Sequence, residues 1–397
     1  MNKNEPRPET SLALTLLLGV LIALSALGTD LFVPALPDTA AWFSAPVSAT
    51  QLTLTTYFLG LALGQPLWGP LSDRYGRRPV LLTALTLMLV ITAAAPLVPS
   101  IGALTGLRLV QGFAMSGGVV VGRSIVRDLH SHEQAARLLA RMMIVFSIVP
   151  IAAPLLGAQL TAHAGWRAVF FTYAAMALAL LITVSVGLAE TAPAERRSAR
   201  PRDIAATLGS ILADPRFVAP LLLFLCCQMG ILAWVASSSF TLAHAGVSVG
   251  AYGWMFAGVM LGQIAGAWVA SRFVVRLGSA RLLRSGALLV IAGGATAAAF
   301  AWSGATHWLT LVGPFAVLIF GTALILPSAT SLALSPFPQA AGAASSLIGA
   351  VGFTFGALLS ALLGALFDGT ARPMASVAAL AGIGAVFFER RLARGPR

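Results

Sequence analysis

The stretch GPLSDRYGRRPVLL, residues 69–82, decides how this chain is read. It joins two apolar runs, near residues 49–70 and 80–98, and gathers Asp73, Arg74, Arg77 and Arg78 around Gly76. Glycine takes up the backbone angles of a tight turn at little steric cost, so Gly76 is the expected corner of a charged loop between two spans. Asp73 can pair with the neighbouring guanidinium groups or with a helix N-terminus, whose partial positive charge attracts a carboxylate.

On either side of this loop the chain is too apolar to dissolve. Its 397 residues are 58% hydrophobic and 10% charged, with a mean hydropathy of +0.89, whereas a soluble domain carries about a quarter charged residues. Each membrane span needs roughly 20 apolar residues, so the length accommodates two six-helix blocks with short loops and almost no soluble domain. A net charge of +12 could suggest nucleic acid, but the distribution of the cations argues otherwise. All are arginine except Lys3, and they gather on one side of the expected spans; only Arg167 and Arg372 lie opposite, with Arg108 inside a span. Loops rich in Lys and Arg face the cytoplasm, which puts both termini there and makes the bilayer the partner, with no nucleic acid.

Apolar runs bounded by arginines, proline or glycine predict spans near 12–37, 49–70, 80–98, 101–122, 137–162 and 166–189. A second set lies near 216–243, 249–271, 281–303, 306–333, 340–367 and 372–389. The expected organisation is a six-helix half over 1–189, a polar connector over 190–215 and a second half over 216–397. An internal repeat supports it: the Leu-Gly-Gln of Leu63–Gln65 recurs at Leu261–Gln263, and Arg74 recurs as Arg272 at the same offset of 198 residues. Parallel six-helix halves with a substrate site between them near the bilayer midplane build one large class of secondary transporters. Glycines four apart, at 60 and 64, at 258, 262 and 266, and at 352 and 356, point to close helix packing. Lys3 and Arg7 ahead of an apolar stretch look like a signal peptide, but the first span is needed for an even count, so cleavage is not expected. Cys226 and Cys227, the only cysteines, are adjacent in an apolar run and read as packing residues.

The loop at 69–82 resembles the signature of the major facilitator superfamily at Gly69, Leu71, Ser72, Asp73, Arg74, Gly76, Arg77, Arg78 and Leu81. A wider stretch, residues 29–82, is similar to the bicyclomycin and chloramphenicol resistance (Bcr/CflA) subfamily of drug:proton antiporters. That similarity continues through LRLVQGFAMSGG, VGRSIVRD, APLLGAQL and GWRAVF and weakens to SPFPQAAGAASSLIGA in the second half. The resemblance implies an all-α fold of twelve transmembrane helices in two halves, and a secondary transporter of the bacterial inner membrane that is not an enzyme. It also implies a cytoplasmic gating role for Gly69, Asp73, Arg74, Gly76, Arg77 and Arg78; the alternative is that these charges only set topology. Arg108, Gln111 and Gly112 resemble a fourth-span signature associated with proton transfer. Pro150, Pro154 and Gly157 resemble the antiporter motif of the fifth span, with Ala153 and Ala158 where the family has glycine; the motif's association with exporters points to export. Prolines inside a helix kink it and free carbonyls, making this span a candidate rocker.

Asp30 stands out on physical grounds. An ionised side chain within a span costs about 2.5–3.5 kcal/mol on insertion scales, and Asp30 follows a long apolar run without a local partner. It sits roughly seven residues, or about 10 Å, from the outer end of its span, a depth that Arg108 also reaches. Desolvation and a nearby cation act on a carboxylate in opposite senses, so Asp30 is the expected protonation site with Arg108 tuning it; a structural ion pair is the competing reading. Gln111, one turn from Arg108, either touches substrate or makes core hydrogen bonds. Tyr57 and Trp234 are the aromatic candidates for the substrate cavity. His163, His244 and His307 occur singly, so no metal is expected, and no phosphate-binding loop appears, so the proton gradient and no cofactor would drive transport. The expected activity is proton-coupled efflux, by a monomer, of small amphiphilic drugs such as phenicols; the alternative is a proton-coupled transporter of a nucleoside, sugar or amino acid.

Overall fold

The computed structural model describes residues 12–129, 132–192, 201–305 and 307–394, so Lys3, Arg7, Arg196, Arg197, Arg200 and Arg397 of the charge argument lie outside the described residues. The helices are α1 (Leu12–Asp30), α2 (Leu36–Trp42), α3 (Val47–Tyr75), α4 (Arg77–Ala94), α5 (Ile101–Leu129), α6 (His132–Ala164) and α7 (Trp166–Gly187). They continue with α8 (Pro201–Ala213), α9 (Pro215–His244), α10 (Val249–Leu277), α11 (Ser279–Trp302), α12 (Leu309–Leu334), α13 (Ala341–Leu366) and α14 (Arg372–Ala393). No strand occurs among the described residues.

With α1 and α2 forming one span and α8 set aside, twelve long helices remain, as the sequence predicts. Eleven are apolar enough to cross a membrane on composition alone; the exception is α3. That helix carries Thr50, Gln51, Thr53 and Gln65, all buried, because it is sandwiched between α5 and α13 and turns little of this face to lipid. The first half is held by α3 on α5 and by α1 on α5 and α6; the second by α11 on α12 and α14 and by α9 on α12 and α14. Between the halves, α3 packs on α13 and α6 on α10.

The sequence repeat maps onto equivalent places. Leu63–Gln65 lies in α3 and Leu261–Gln263 in α10, each the second span of its half, and each packs on the fourth span, α5 or α12. Both second spans end on a glycine with positive φ, Gly76 at 104° and Gly278 at 78°, a conformation that a side chain disfavours. The small-residue rows do mostly what close packing requires: Gly60 and Gly64 face the α5 backbone, and Gly262 and Gly266 face α12, while Gly258 faces open space.

Two expectations differ in detail. The span at 12–37 is broken: α1 stops at Asp30 and a 3-10 turn, Val33–Ala35, precedes α2. Pro34 has no N–H to donate to the Asp30 carbonyl, so the helical ladder cannot run through. The connector region, expected as a polar stretch, contains α8, whose Ile211 packs with Phe217, Leu221, Ala344 and Leu347 at the Arg-rich end of the second half.

Candidate functional site

The break after Asp30 leaves helix-end carbonyls that must be satisfied from elsewhere. Phe32 N–H turns back to the Thr29 carbonyl at 3.0 Å, so the Gly28 carbonyl has lost its helical donor. Arg108 supplies it. From α5 its Nη2 donates to Gly28 O at 2.9 Å, its Nη1 to Gln111 Oε1 at 2.6 Å and its Nε to Thr53 O at 3.4 Å. The guanidinium also lies 4.1 Å from the Tyr57 ring centroid and 4.8 Å from that of Phe32. It is wholly buried. A cation at a helix C-terminus gains up to about 2 kcal/mol in partly buried geometry, and each aromatic face adds roughly 0.5–2 kcal/mol.

Two tyrosines complete this cap. Tyr57 Oη donates to the Ser25 carbonyl at 2.9 Å, and Tyr173 Oη of α7 donates to the Leu27 carbonyl. The last turn of α1 is therefore gripped by α3, α5 and α7. Gln111 is bonded at both ends, to Arg108 and, through Nε2, to Thr92 Oγ1 at 2.8 Å, an arrangement of core hydrogen bonding in this conformation.

Asp30 lies beside this cap but outside it. The residue is 8% exposed, and no ion pair or hydrogen bond engages its carboxylate among the described residues. Arg108, spent on carbonyls and rings, makes no ion pair with it. Just beyond, Gly157 of α6 meets the Leu31 backbone so closely that a Cβ would collide with the Leu31 carbonyl. One residue on, Ala158 faces Gly253 of α10, as does the Pro154 carbonyl. The motif of Pro150, Pro154 and Gly157 thus stands between the broken first span and the second half.

Tyr57 and Trp234, the two aromatic candidates, are both fully buried here. Trp234 packs between Phe256 and Phe315, at centroid distances of 6.1 and 5.1 Å, and its Nε1 has no hydrogen-bond partner. The halves also meet at the end opposite the arginines: Gln51 Nε2 of α3 donates to the Ala236 carbonyl of α9, and Gly364 of α13 faces the Gln51 side chain. Arg167, the lone arginine of that end in the first half, stacks 3.9 Å from the Trp42 ring and donates to the Pro96 carbonyl at 2.9 Å.

The loop motif forms a second polar cluster at the Arg-rich end. Arg77 pairs with Asp73, donates through Nε to Asp128 Oδ2 at 2.7 Å and through Nη1 to Ser72 Oγ at 2.6 Å. Glu190, just past α7, accepts the backbone N–H groups of Arg77 at 2.9 Å and Arg78 at 3.2 Å, together with those of Thr191 and Ala192. Arg78 Nη2 donates to the Ser185 carbonyl at 2.6 Å, and Arg74 lies 5.2 Å from the Tyr75 ring centroid. Gly69 packs near Val120 of α5. Partial burial pushes the Glu190 carboxyl up, but the N–H donors of Ala192, Arg77, Arg78 and Thr191 outweigh it and hold the group below the ordinary carboxylate range. Asp128 and Glu190 were missed by sequence reasoning; the only signals were the acid closing VGRSIVRD and the one opening the connector.

Twelve spans in two halves that meet around a broken helix and buried charges define a secondary transporter. The Major Facilitator Superfamily profile matches residues 18–242, and the chain belongs to that family. It is 29% identical over 361 residues to a bicyclomycin resistance protein homolog of Haemophilus influenzae, covering 90% of each chain. It is 31% identical over 366 residues to a chloramphenicol resistance protein of Pseudomonas aeruginosa, covering 90% of this chain and 84% of that one. These relatives put it with the bicyclomycin and chloramphenicol resistance (Bcr/CflA) subfamily. The solved structure of a D-xylose-proton symporter shares the fold, with a TM-score of 0.72 at 16% identity over 96% of this chain and 97% of that one. The protein is a multi-pass membrane transporter of small molecules and not an enzyme.

Proposed function

We propose that this protein exports small amphiphilic drugs, phenicol-type antibiotics foremost, in exchange for protons, with its Arg-rich face and termini toward the cytoplasm of a bacterial inner membrane. The observation that carries the reading is the Asp30 carboxylate, buried at the end of α1 without a hydrogen bond or ion pair, while Arg108 of α5 donates to the Gly28 and Thr53 carbonyls and to Gln111. No ion pair or hydrogen bond locks that carboxyl in its ionised form, so occupancy by a proton is governed by which aqueous side reaches it. Its neighbours are the elements that connect the halves: Leu31 touches Gly157 of α6, and α6 leads to α10. Loading Asp30 would thereby bias the packing of the first half against the second. The named relatives support drugs as the cargo.

The test is drug accumulation in a pump-deficient bacterial host expressing the native chain or Asp30→Asn, with chloramphenicol and a cationic dye as probes and an uncoupler as control. The native chain should lower accumulation of at least one probe several-fold, and both the substitution and the uncoupler should abolish the difference. Native activity surviving either treatment would remove proton coupling through Asp30. A native chain present in the membrane that moves neither probe would favour metabolite transport.

A further inference from the structure

A groove of ≈ 930 Å³ opens far from Asp30, where α9 begins and α14 ends at the Arg-rich side. Its walls divide by depth. Deeper in the span they are apolar, with Leu222 and Pro220 from α9 and Ile383 and Phe387 from α14. Ile383 and Phe387, one turn apart, are 56% and 57% exposed. About 10 Å further along α14 the groove is ringed by Arg390, Arg391 and Arg394, with Arg216 across from them. A second groove of ≈ 420 Å³ on the other flank of α14 shares Arg390 and Arg394 and adds Arg284.

Four of these five arginines have no paired countercharge among the described residues. Arg216 pairs with Asp214 at 2.8 Å, but Arg284, Arg390, Arg391 and Arg394 have no ion pair or side-chain hydrogen bond among the described residues, although Glu389 lines the smaller groove. Arginines in a last helical turn complement the helix dipole and set topology. Neither role calls for a groove beneath them lined by exposed apolar side chains. We propose that the cleft between α9 and α14 binds an anionic phospholipid of the adjoining leaflet, its phosphate held by Arg390, Arg391 and Arg394 and its acyl chain laid along Ile383, Phe387 and Leu222. Charge complementarity and depth select this occupant: basic pockets between transmembrane helices suit lipid head groups, and guanidinium groups bind phosphate oxygens through paired N–H donors.

The purified full chain in detergent would be presented with phosphatidylglycerol or phosphatidylethanolamine and followed by native mass spectrometry and thermal unfolding. The native chain should retain phosphatidylglycerol and be stabilised by it in clear preference to phosphatidylethanolamine. The triple variant R390Q/R391Q/R394Q should lose apparent affinity by roughly a hundredfold, whereas R390K/R391K/R394K should keep part of the preference. R272Q/R276Q/R281Q, which removes equal charge elsewhere on the same side, should bind as the native chain does. Equal retention of the two lipids by the native chain, a result that needs no variant to fold, would overturn the proposal. So would equal losses in the two glutamine triples. Glycerol 3-phosphate and inorganic phosphate form the last arm: stabilisation by either to the level given by phosphatidylglycerol would mark a phosphate site and overturn the assignment to lipid.

Discussion

Arg108 and Arg77 are both buried arginines, and they are satisfied in opposite ways. Arg77, 7% exposed, is held by two carboxylates, Asp73 and Asp128. Arg108, fully buried, is held by neutral groups: two backbone carbonyls, an amide oxygen and two aromatic faces. The first is an ionic knot tying α3, α4 and α5 together at the membrane edge. The second is a cation spent on a helix end, which leaves the nearby carboxyl of Asp30 unpaired. The contrast shows how a chain can bury a positive charge in the membrane without pairing it to the one acid nearby in the chain fold, Asp30.

Replacing each arginine by methionine should separate the two kinds of site. Arg108→Met leaves the Gly28 and Thr53 carbonyls and Gln111 Oε1 buried without donors, each costing about 1–3 kcal/mol, so it should give the larger fall in unfolding temperature in detergent and no transport. Arg77→Met strands two carboxylates; losing one partner of a buried pair costs roughly 3–5 kcal/mol, but Asp73, at 50% side-chain exposure, is rehydrated and the loss should lie below that range. Salt sharpens the test. Raising ionic strength should weaken the native Arg77 knot at its exposed edge and narrow the gap between Arg77→Met and the native chain, while leaving the Arg108→Met deficit unchanged. Equal salt sensitivity at the two sites would break the comparison.

The second half repeats the shape of the ionic knot without its chemistry. Gly278 turns the chain between α10 and α11 as Gly76 does between α3 and α4, yet SRFVVRLGSARLLR, residues 271–284, contains no acid. What was legible in the sequence follows the same divide. The loop at 69–82 could be read because its glycine, acid and bases are adjacent in the chain, and Asp30 and Arg108 because embedded charges are rare. Gln111 could be read as a neighbour of Arg108, but the backbone acceptors of Arg108 were not legible: every residue has a carbonyl, and only the break caused by Pro34, set against α5, frees that of Gly28. Asp128 and Glu190 were hidden for a related reason, since their partners lie 51 and 113 residues away in sequence. Tyr57 and Trp234 were chosen for their aromatic surface, but whether that surface meets substrate depends on a packing that closes over both of them here.

Glu190 gives the smallest and most pH-specific effect. Its carboxylate caps the start of α4 through the Arg77 and Arg78 N–H groups and sits below its ordinary pKa for that reason. A group whose folded pKa is depressed contributes stability above its unfolded value, near 4.3 for Glu, and loses it as the pH falls through the lower folded value. Glu190→Gln should therefore be slightly less stable than the native chain at pH 7, by less than about 1 kcal/mol because the carboxylate is exposed and screened. The two melting curves should converge as the pH is lowered below about 4. A difference that stays constant down to acid pH would mean that Glu190 acts through shape and not charge, and would leave Asp73 and Asp128 as the acids that matter to the knot.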